Sequence, residues 1–125
     1  MMDKQPNNIW KVIYPAWNLP EPIKHVHDGY WDGDTIDLMI DLRFHRSEVM
    51  RFRLEGINAP ERYTGEGKAA TAALRRFIED GWPITVQSEL MGDFRRWLGT
   101  LWDKDGNSIN QLMLIHGYAA PYKKK

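Results

Sequence analysis

The clearest pattern in the chain is an alternation of apolar and polar residues over positions 35–44, followed by a second alternation over positions 50–55. A period of two is typical of a strand that buries one face. The polar stretch 45–48 separates the two and predicts a hairpin. The second strand ends at Gly56 and the loop around Pro60, because proline cannot donate to a strand ladder. The buried face of the first strand is predicted to hold Ile36, Leu38, Ile40, Leu42 and Phe44.

The pattern changes to a helical period over residues 65–80, which are rich in alanine. Thr64 is placed to cap this helix and Gly81 to end it. Ser108 is placed to cap a second helix that runs to His116. Shorter apolar stretches predict strands over residues 23–30, 84–86 and 97–102.

This order of elements predicts a β-rich α+β fold. Many strands in a short chain, with one helix between them, favour an OB-fold, a five-stranded Greek-key barrel with helices. Periodicity alone leaves a sandwich open. We expect the domain to span residues 23–122, with a basic tail at 123–125.

The first 22 residues are predicted to be a Pro-rich N-terminal arm. Four prolines argue against a regular helix there. Trp10, Val12 and Tyr14 alternate with other residues and fit either an edge strand or a covering arm.

Composition narrows the chemistry. The 125 residues are a length typical of one domain, and they contain no cysteine. This excludes disulfides, thiol catalysis and cysteine-bound metals. No apolar run approaches the length of a membrane span, and the first 20 residues lack the pattern of a signal peptide. We therefore expect a cytoplasmic protein without membrane contact.

The net charge is zero, with 17 basic and 17 acidic residues, but the charges are segregated. Residues 28–41 hold five aspartates and no lysine or arginine. Residues 43–53 hold four arginines and one acid, Glu48. The predicted hairpin would bring these two blocks face to face, so the chain has a local rather than a uniform basic surface.

Three groups of residues could carry chemistry. Asp32 and Asp34, separated by a glycine, could reach a hard cation such as calcium. Arg53 leads into a loop, residues 58–61, that offers an amide, a carbonyl and a carboxylate. An arginine pair lies at 95–96, and arginine binds phosphate through a forked pair of donors. A cation, acids and guanidinium groups together are what phosphodiester cleavage needs.

These stretches also carry a family resemblance. DGDT at 32–35, RFRLEGINAPE at 51–61, RRWLG at 95–99 and INQLMLIHGYAAPY at 109–122 resemble the staphylococcal nuclease (thermonuclease) family. The likeness is strongest to its small homologs from bacteria and their phages. It implies an OB-type barrel and a calcium-dependent nuclease that acts on DNA and RNA and leaves 3′-phosphate ends. Such a protein would be a monomer whose partner is its nucleic-acid substrate.

The resemblance also implies roles for individual residues. Calcium would be bound by Asp34, Asn58 and Ala59. The phosphate would be held by Arg53 and Arg96. Glu61 would orient or activate the attacking water. Tyr122, Trp97 and Leu54 would contact the substrate. Asn58 stands where the family has an aspartate and lacks its charge, so magnesium or manganese could take the place of calcium.

Other interpretations remain open from the residues alone. A catalytically weak or inactive OB-type module could bind single-stranded nucleic acid or a protein partner. His25 and His27 share a strand face and could hold zinc, although no third ligand follows at a usual spacing.

Overall fold

Five strands in the described part of the chain close into a barrel. The computed structural model describes residues 9–14, 29–90 and 97–122. Strand neighbours follow the order β1-β6-β7-β4-β3, and β3 pairs again with β1 to close the barrel. The pair β4–β7 is parallel and the other barrel pairs are antiparallel. The elements are β1 (Ile9–Tyr14), β2 (Tyr30–Asp32), β3 (Thr35–Arg43), β4 (Arg46–Leu54), β5 (Ile57–Asn58), α1 (Gly65–Asp80), β6 (Thr85–Leu90), β7 (Trp97–Trp102), α2 (Ile109–Ile115) and β8 (Ala120–Pro121).

This architecture confirms the predicted β-rich α+β class with an OB-type barrel. The helix α1 lies in sequence between β5 and β6, and the core contains apolar side chains from both the barrel and the two helices. Neither helix in the described ranges is long and apolar enough to cross a membrane.

The hairpin of β3 and β4 confirms the alternating pattern except at its end. Ile36, Leu38 and Ile40 are buried as expected. Phe44 was expected on the same buried face and is instead 90% exposed. Arg43, Phe44 and His45 all have positive φ, between 54° and 73°, so the chain reverses before Phe44 can continue the strand.

The strand β1 forms within the stretch predicted as a Pro-rich arm. It pairs with β3 on one side and β6 on the other, so it is a barrel strand and not an edge strand. Pro6 and Pro15 flank this segment and none lies inside it, which leaves its backbone donors free to pair. The rest of the predicted arm, residues 23–28 of the predicted first strand with His25 and His27, and the basic tail lie outside the described residues.

Both predicted helix caps are confirmed. The Thr64 hydroxyl accepts a hydrogen bond from the Gly67 N–H at 2.9 Å, and the Ser108 hydroxyl accepts from Gln111 N–H. A Cβ on Gly67 would lie 1.7 Å from the Glu61 carbonyl oxygen, so only glycine lets α1 begin this close to the preceding loop. The loop that carries Glu61 is therefore packed directly on the first turn of α1.

Asn110 joins α2 to the barrel. It is buried, and its side-chain oxygen accepts a hydrogen bond from the Leu101 N–H at 3.1 Å. Its amide group donates to the carbonyl oxygens of Glu55 at 2.9 Å and Gly99 at 3.0 Å. The short pair β5–β8, which the sequence pattern does not predict, then returns the chain beside Asn58.

Candidate functional site

Asp34 is the centre of the candidate site. It is 5% exposed and lies in the turn between β2 and β3. Its Oδ2 accepts hydrogen bonds from Arg53 Nη1 at 2.9 Å and from the Ala59 N–H at 2.8 Å. The Thr35 hydroxyl donates to Oδ1 at 3.0 Å. One carboxylate thus joins the turn, the end of β4 and the loop after β5.

Small residues allow these three segments to meet. A Cβ on Gly33 would lie 2.8 Å from the Cβ atoms of both Ala59 and Ala70, closer than side chains approach one another. The Leu54 N–H donates to the Asp34 carbonyl oxygen at 2.7 Å, which fixes the turn to β4. The glycine between the two aspartates is therefore needed for packing, because a side chain at this position would collide with Ala59 and Ala70.

Asp32 is hydrogen-bonded to Asp34. Its Oδ1 accepts a hydrogen bond from the Asp34 N–H at 3.2 Å. Burial, then a side-chain hydrogen bond with Asp34 and the Asp34 charge, raises the pKa of Asp32 to about 6. Burial acts against ionisation of Asp34 too. Hydrogen bonds from Asp32 and Ala59, together with Arg53, outweigh it and hold the pKa of Asp34 below its usual value.

Arg53 contacts Asp34 directly, and its charge also lowers the pKa of Asp32, though by less than burial and Asp34 raise it. The ligand set expected from the resemblance leaves Asp32 out, whereas the spacing of the two aspartates in the sequence includes it.

Arg53 and Tyr122 lie side by side. The Arg53 guanidinium carbon is 5.3 Å from the centre of the Tyr122 ring, and Nη2 donates to the Ile57 carbonyl oxygen at 3.3 Å. The Tyr122 N–H donates to the Gly56 carbonyl oxygen at 2.9 Å, which holds the exposed ring at this place. The two residues predicted to meet phosphate and nucleotide are thus neighbours.

Asn58 and Ala59 border a cavity of about 330 Å³ together with Pro60 and residues 117–120. Within the described ranges, no three His, Cys, Asp or Glu side chains are grouped to hold a metal ion. Asp34 contacts a second aspartate, Asp32, and the backbone N–H of Ala59. Two neighbouring carboxylates, with water completing the shell, are oxygen donors of the kind that hard cations bind.

Of the predicted catalytic residues, Glu61 makes no hydrogen bond or ion pair to this cluster in the described part of the chain, and Arg96 is not among the described residues. Glu61 is exposed, and its backbone carbonyl accepts hydrogen bonds from the Thr64 N–H at 3.0 Å and the Thr64 hydroxyl at 2.8 Å. The backbone of Glu61 is therefore fixed while its side chain faces solvent. Arg96 and its neighbour Arg95 lie outside the described residues.

Leu54 is buried where a substrate contact was predicted, whereas the predicted contact of Trp97 stays a prediction. Leu54 is 1% exposed and belongs to the core, because alternation along β4 turns it inward when Arg53 points outward. Trp97 is half-buried, pairs with Phe52 across β4–β7, and lines an apolar cavity of about 210 Å³.

The outer face of the hairpin carries a charged cluster. The sequence predicts that acidic and basic blocks oppose each other there, but it does not predict the individual contacts. Arg51 binds Asp37 at 2.8 Å, as the opposed acidic and basic blocks imply. Its guanidinium also lies 4.0 Å from the centre of the Trp31 ring, and the Trp31 indole N–H donates to Asp37 at 2.9 Å. One face of the Trp31 ring is covered by this contact.

Comparison with curated proteins finds two relatives. Each is named "Uncharacterized endonuclease", one from Escherichia coli O157:H7 and one from Escherichia coli. Each is 33% identical to the chain over 93 residues, which are 74% of this chain and 57% of the relative. The chain thus spans less than two thirds of the length of the relatives it matches. No family model matches the chain.

Proposed function

We propose that the protein is a metal-dependent nuclease that hydrolyses phosphodiester bonds of DNA or RNA and leaves 3′-phosphate ends. The observation that carries the proposal is the junction at Asp34, where a buried carboxylate binds Arg53 and the Ala59 N–H and lies next to a second carboxylate, Asp32. The names of the two curated relatives support a nuclease. The OB-type barrel is compatible with nucleic-acid binding.

The roles of the residues follow from their chemistry. Arg53 makes two bonds in the described structure and keeps further N–H donors for a phosphate oxygen. The exposed Tyr122 ring beside it offers a surface for the adjoining sugar or base. Arg96 would supply the second guanidinium.

The cleavage step needs one proton acceptor. The oxygen of a water molecule bonds to phosphorus, the bond from phosphorus to the 5′ oxygen breaks, and Glu61 accepts the proton of the water. The departing 5′ oxygen takes a proton from solvent, and the phosphate stays on the 3′ side. Arg53 offsets the charge that accumulates on the phosphate oxygens, and one such donor contributes about 3–4 kcal/mol to the barrier reduction.

Calcium would be held by Asp32, Asp34 and the oxygens of residues 58–59, where it would add positive charge beside the phosphate and make a bound water more acidic. Asp32 supplies the charge that Asn58 lacks. The assignment to calcium, with magnesium or manganese as substitutes, stays a prediction, as does a monomeric state.

The test is cleavage of plasmid and single-stranded DNA with calcium, magnesium or EDTA. We expect metal-dependent cleavage by the unaltered chain. Glu61→Gln should lower the cleavage rate at least a hundredfold, which is the scale of general-base catalysis. Glu48→Gln alters an exposed glutamate at the far end of the hairpin and should change the rate little. Product ends should resist polymerase extension until a 3′-phosphatase has acted. Absence of metal-dependent cleavage above the level of Glu61→Gln would reject the proposal. Binding without cleavage would favour a non-catalytic OB-type module.

A further inference from the structure

A cationic groove lies along the outer side of α1. Its volume is about 410 Å³, and half of the described residues that line it are basic while none is acidic. The whole chain has zero net charge, whereas the described lining of this groove holds three basic side chains and no acidic one. The lining residues are Arg62, Tyr63, Lys68, Thr71, Ala72 and Arg75.

The groove follows from helical spacing. Lys68, Ala72 and Arg75 recur at intervals of four and three residues, so they share one face of α1. The small Ala72 leaves a shallow floor between the two long cationic side chains. Tyr63, from the loop before the helix, is 84% exposed and stands at the side of the groove.

Two of the three cations are held in place by one buried residue. Arg62 Nη1 donates to the Tyr30 carbonyl oxygen at 3.2 Å, and the Arg75 guanidinium lies 4.5 Å from the centre of the Tyr30 ring. Tyr30 is the first residue of β2 and is fully buried. Because these guanidinium groups are already ordered, less side-chain entropy is lost when they bind a ligand.

We propose that this groove binds a single-stranded nucleic acid, with Lys68 on a backbone phosphate, the positive side chains of Arg62 and Arg75 beside it, and Tyr63 stacked on a base. This inference rests on the proposed function, in which Glu61 accepts the proton of the water, and Arg62, the next residue in the chain, lines the groove. Planar guanidinium groups match phosphate oxygens. An exposed ring can stack on a base only when that base is not paired within a duplex.

The test is fluorescence anisotropy with a labelled single strand of about 12 nucleotides, within the site size of OB-type barrels, and a duplex of the same length. All proteins carry Glu61→Gln, so that the strand stays intact, and calcium is present. Lys68→Gln removes one phosphate contact and should make the slope of log K against log salt shallower by about 0.7. If the two proteins bind equally near 1 M salt, this slope corresponds to about eightfold weaker binding at about 50 mM.

Tyr63 is tested by a pair of variants. Tyr63→Ala should weaken single-strand binding by roughly five- to a hundredfold without changing the salt slope, whereas Tyr63→Phe keeps the ring and should bind like the parent. Duplex binding should not change in Tyr63→Ala. Lys104→Gln removes an exposed lysine in the turn after β7 and is the matched control, with no expected effect.

Parental affinity and salt slope in Lys68→Gln, or equal losses for duplex and single strand in Tyr63→Ala, would overturn the groove assignment. A separate cleavage assay on the chain with Glu61 intact distinguishes the two proposals. If the chain cleaves DNA while Lys68→Gln and Tyr63→Ala bind the strand like the parent, only the groove assignment is rejected. Loss of binding in the groove variants without any cleavage supports the groove and rejects the nuclease.

Discussion

Replacement of Asp34 by asparagine tests whether the cluster is held together by charge. Asp34→Asn removes the partner of an Arg53 side chain that is only 16% exposed. Breaking a buried ion pair costs about 3–5 kcal/mol, because the remaining charge stays in a poorly solvated place. Partial water access to Arg53 and relief of the repulsion with Asp32 reduce this cost, so we expect a loss of about 2–3 kcal/mol. For a chain of this size that is a decrease in Tm of about 8–12 °C.

The assay is thermal and urea unfolding in EDTA, so that metal binding does not contribute. Asp105→Asn makes the same change in net charge at an exposed turn and should stay within about 0.5 kcal/mol of the unaltered chain. A double-mutant cycle with Arg53→Gln should give a coupling energy above about 1 kcal/mol. A loss below 1 kcal/mol in Asp34→Asn together with a coupling energy near zero would refute this account of the site.

Three further predictions concern the same turn. Gly33→Ala should lower the free energy of unfolding by about 1–3 kcal/mol in urea melts, since its Cβ would press on Ala59 and Ala70, while Gly65→Ala, whose Cβ meets open space, should not; equal effects would contradict the packing argument. The raised pKa of Asp32 means that the folded state binds its proton more tightly than the unfolded state, so this residue costs stability as the pH rises from 4 through 6. Asp32→Asn should therefore gain stability relative to the unaltered chain between pH 4 and pH 7 in EDTA, and a difference that does not vary with pH would count against the coupling. Calcium at about a hundred times its Kd for the unaltered chain should stabilise that chain by about 2.7 kcal/mol, measured as the difference between melts in calcium and melts in EDTA. An equal gain in Asp32→Asn at the same calcium concentration would show that Asp32 is not a ligand.

The hairpin was predictable because its information is local. Alternation of apolar residues fixes which face of β3 is buried, and a hairpin then places the aspartates opposite the arginines, as in the pair of Asp37 and Arg51. Asp34, Arg53 and Ala59 come together for the same reason, since all three follow from the hairpin and the loop that continues it.

The remaining features depend on contacts between distant residues. Asn110 bonds to Glu55, 55 positions away, and no periodicity in the helix α2 marks it. The pair β5–β8 consists of two residues on each side, too short to give a pattern. The prediction that Phe44 is buried was wrong because the alternating pattern gives no sign of the backbone reversal that begins at Arg43.

The hydrogen bonds of Asn110 also bear on local unfolding of α2. Asn110 holds Glu55, and beyond α2 the chain returns to pair with Asn58 and to place Tyr122 on Gly56. The bonds of α2 and of the segment that follows it thus reach the same stretch of the barrel, residues 55–58, and we expect elements linked in this way to open together. A ligand bound between Arg53 and Tyr122 would consequently slow hydrogen exchange in a helix that it does not touch.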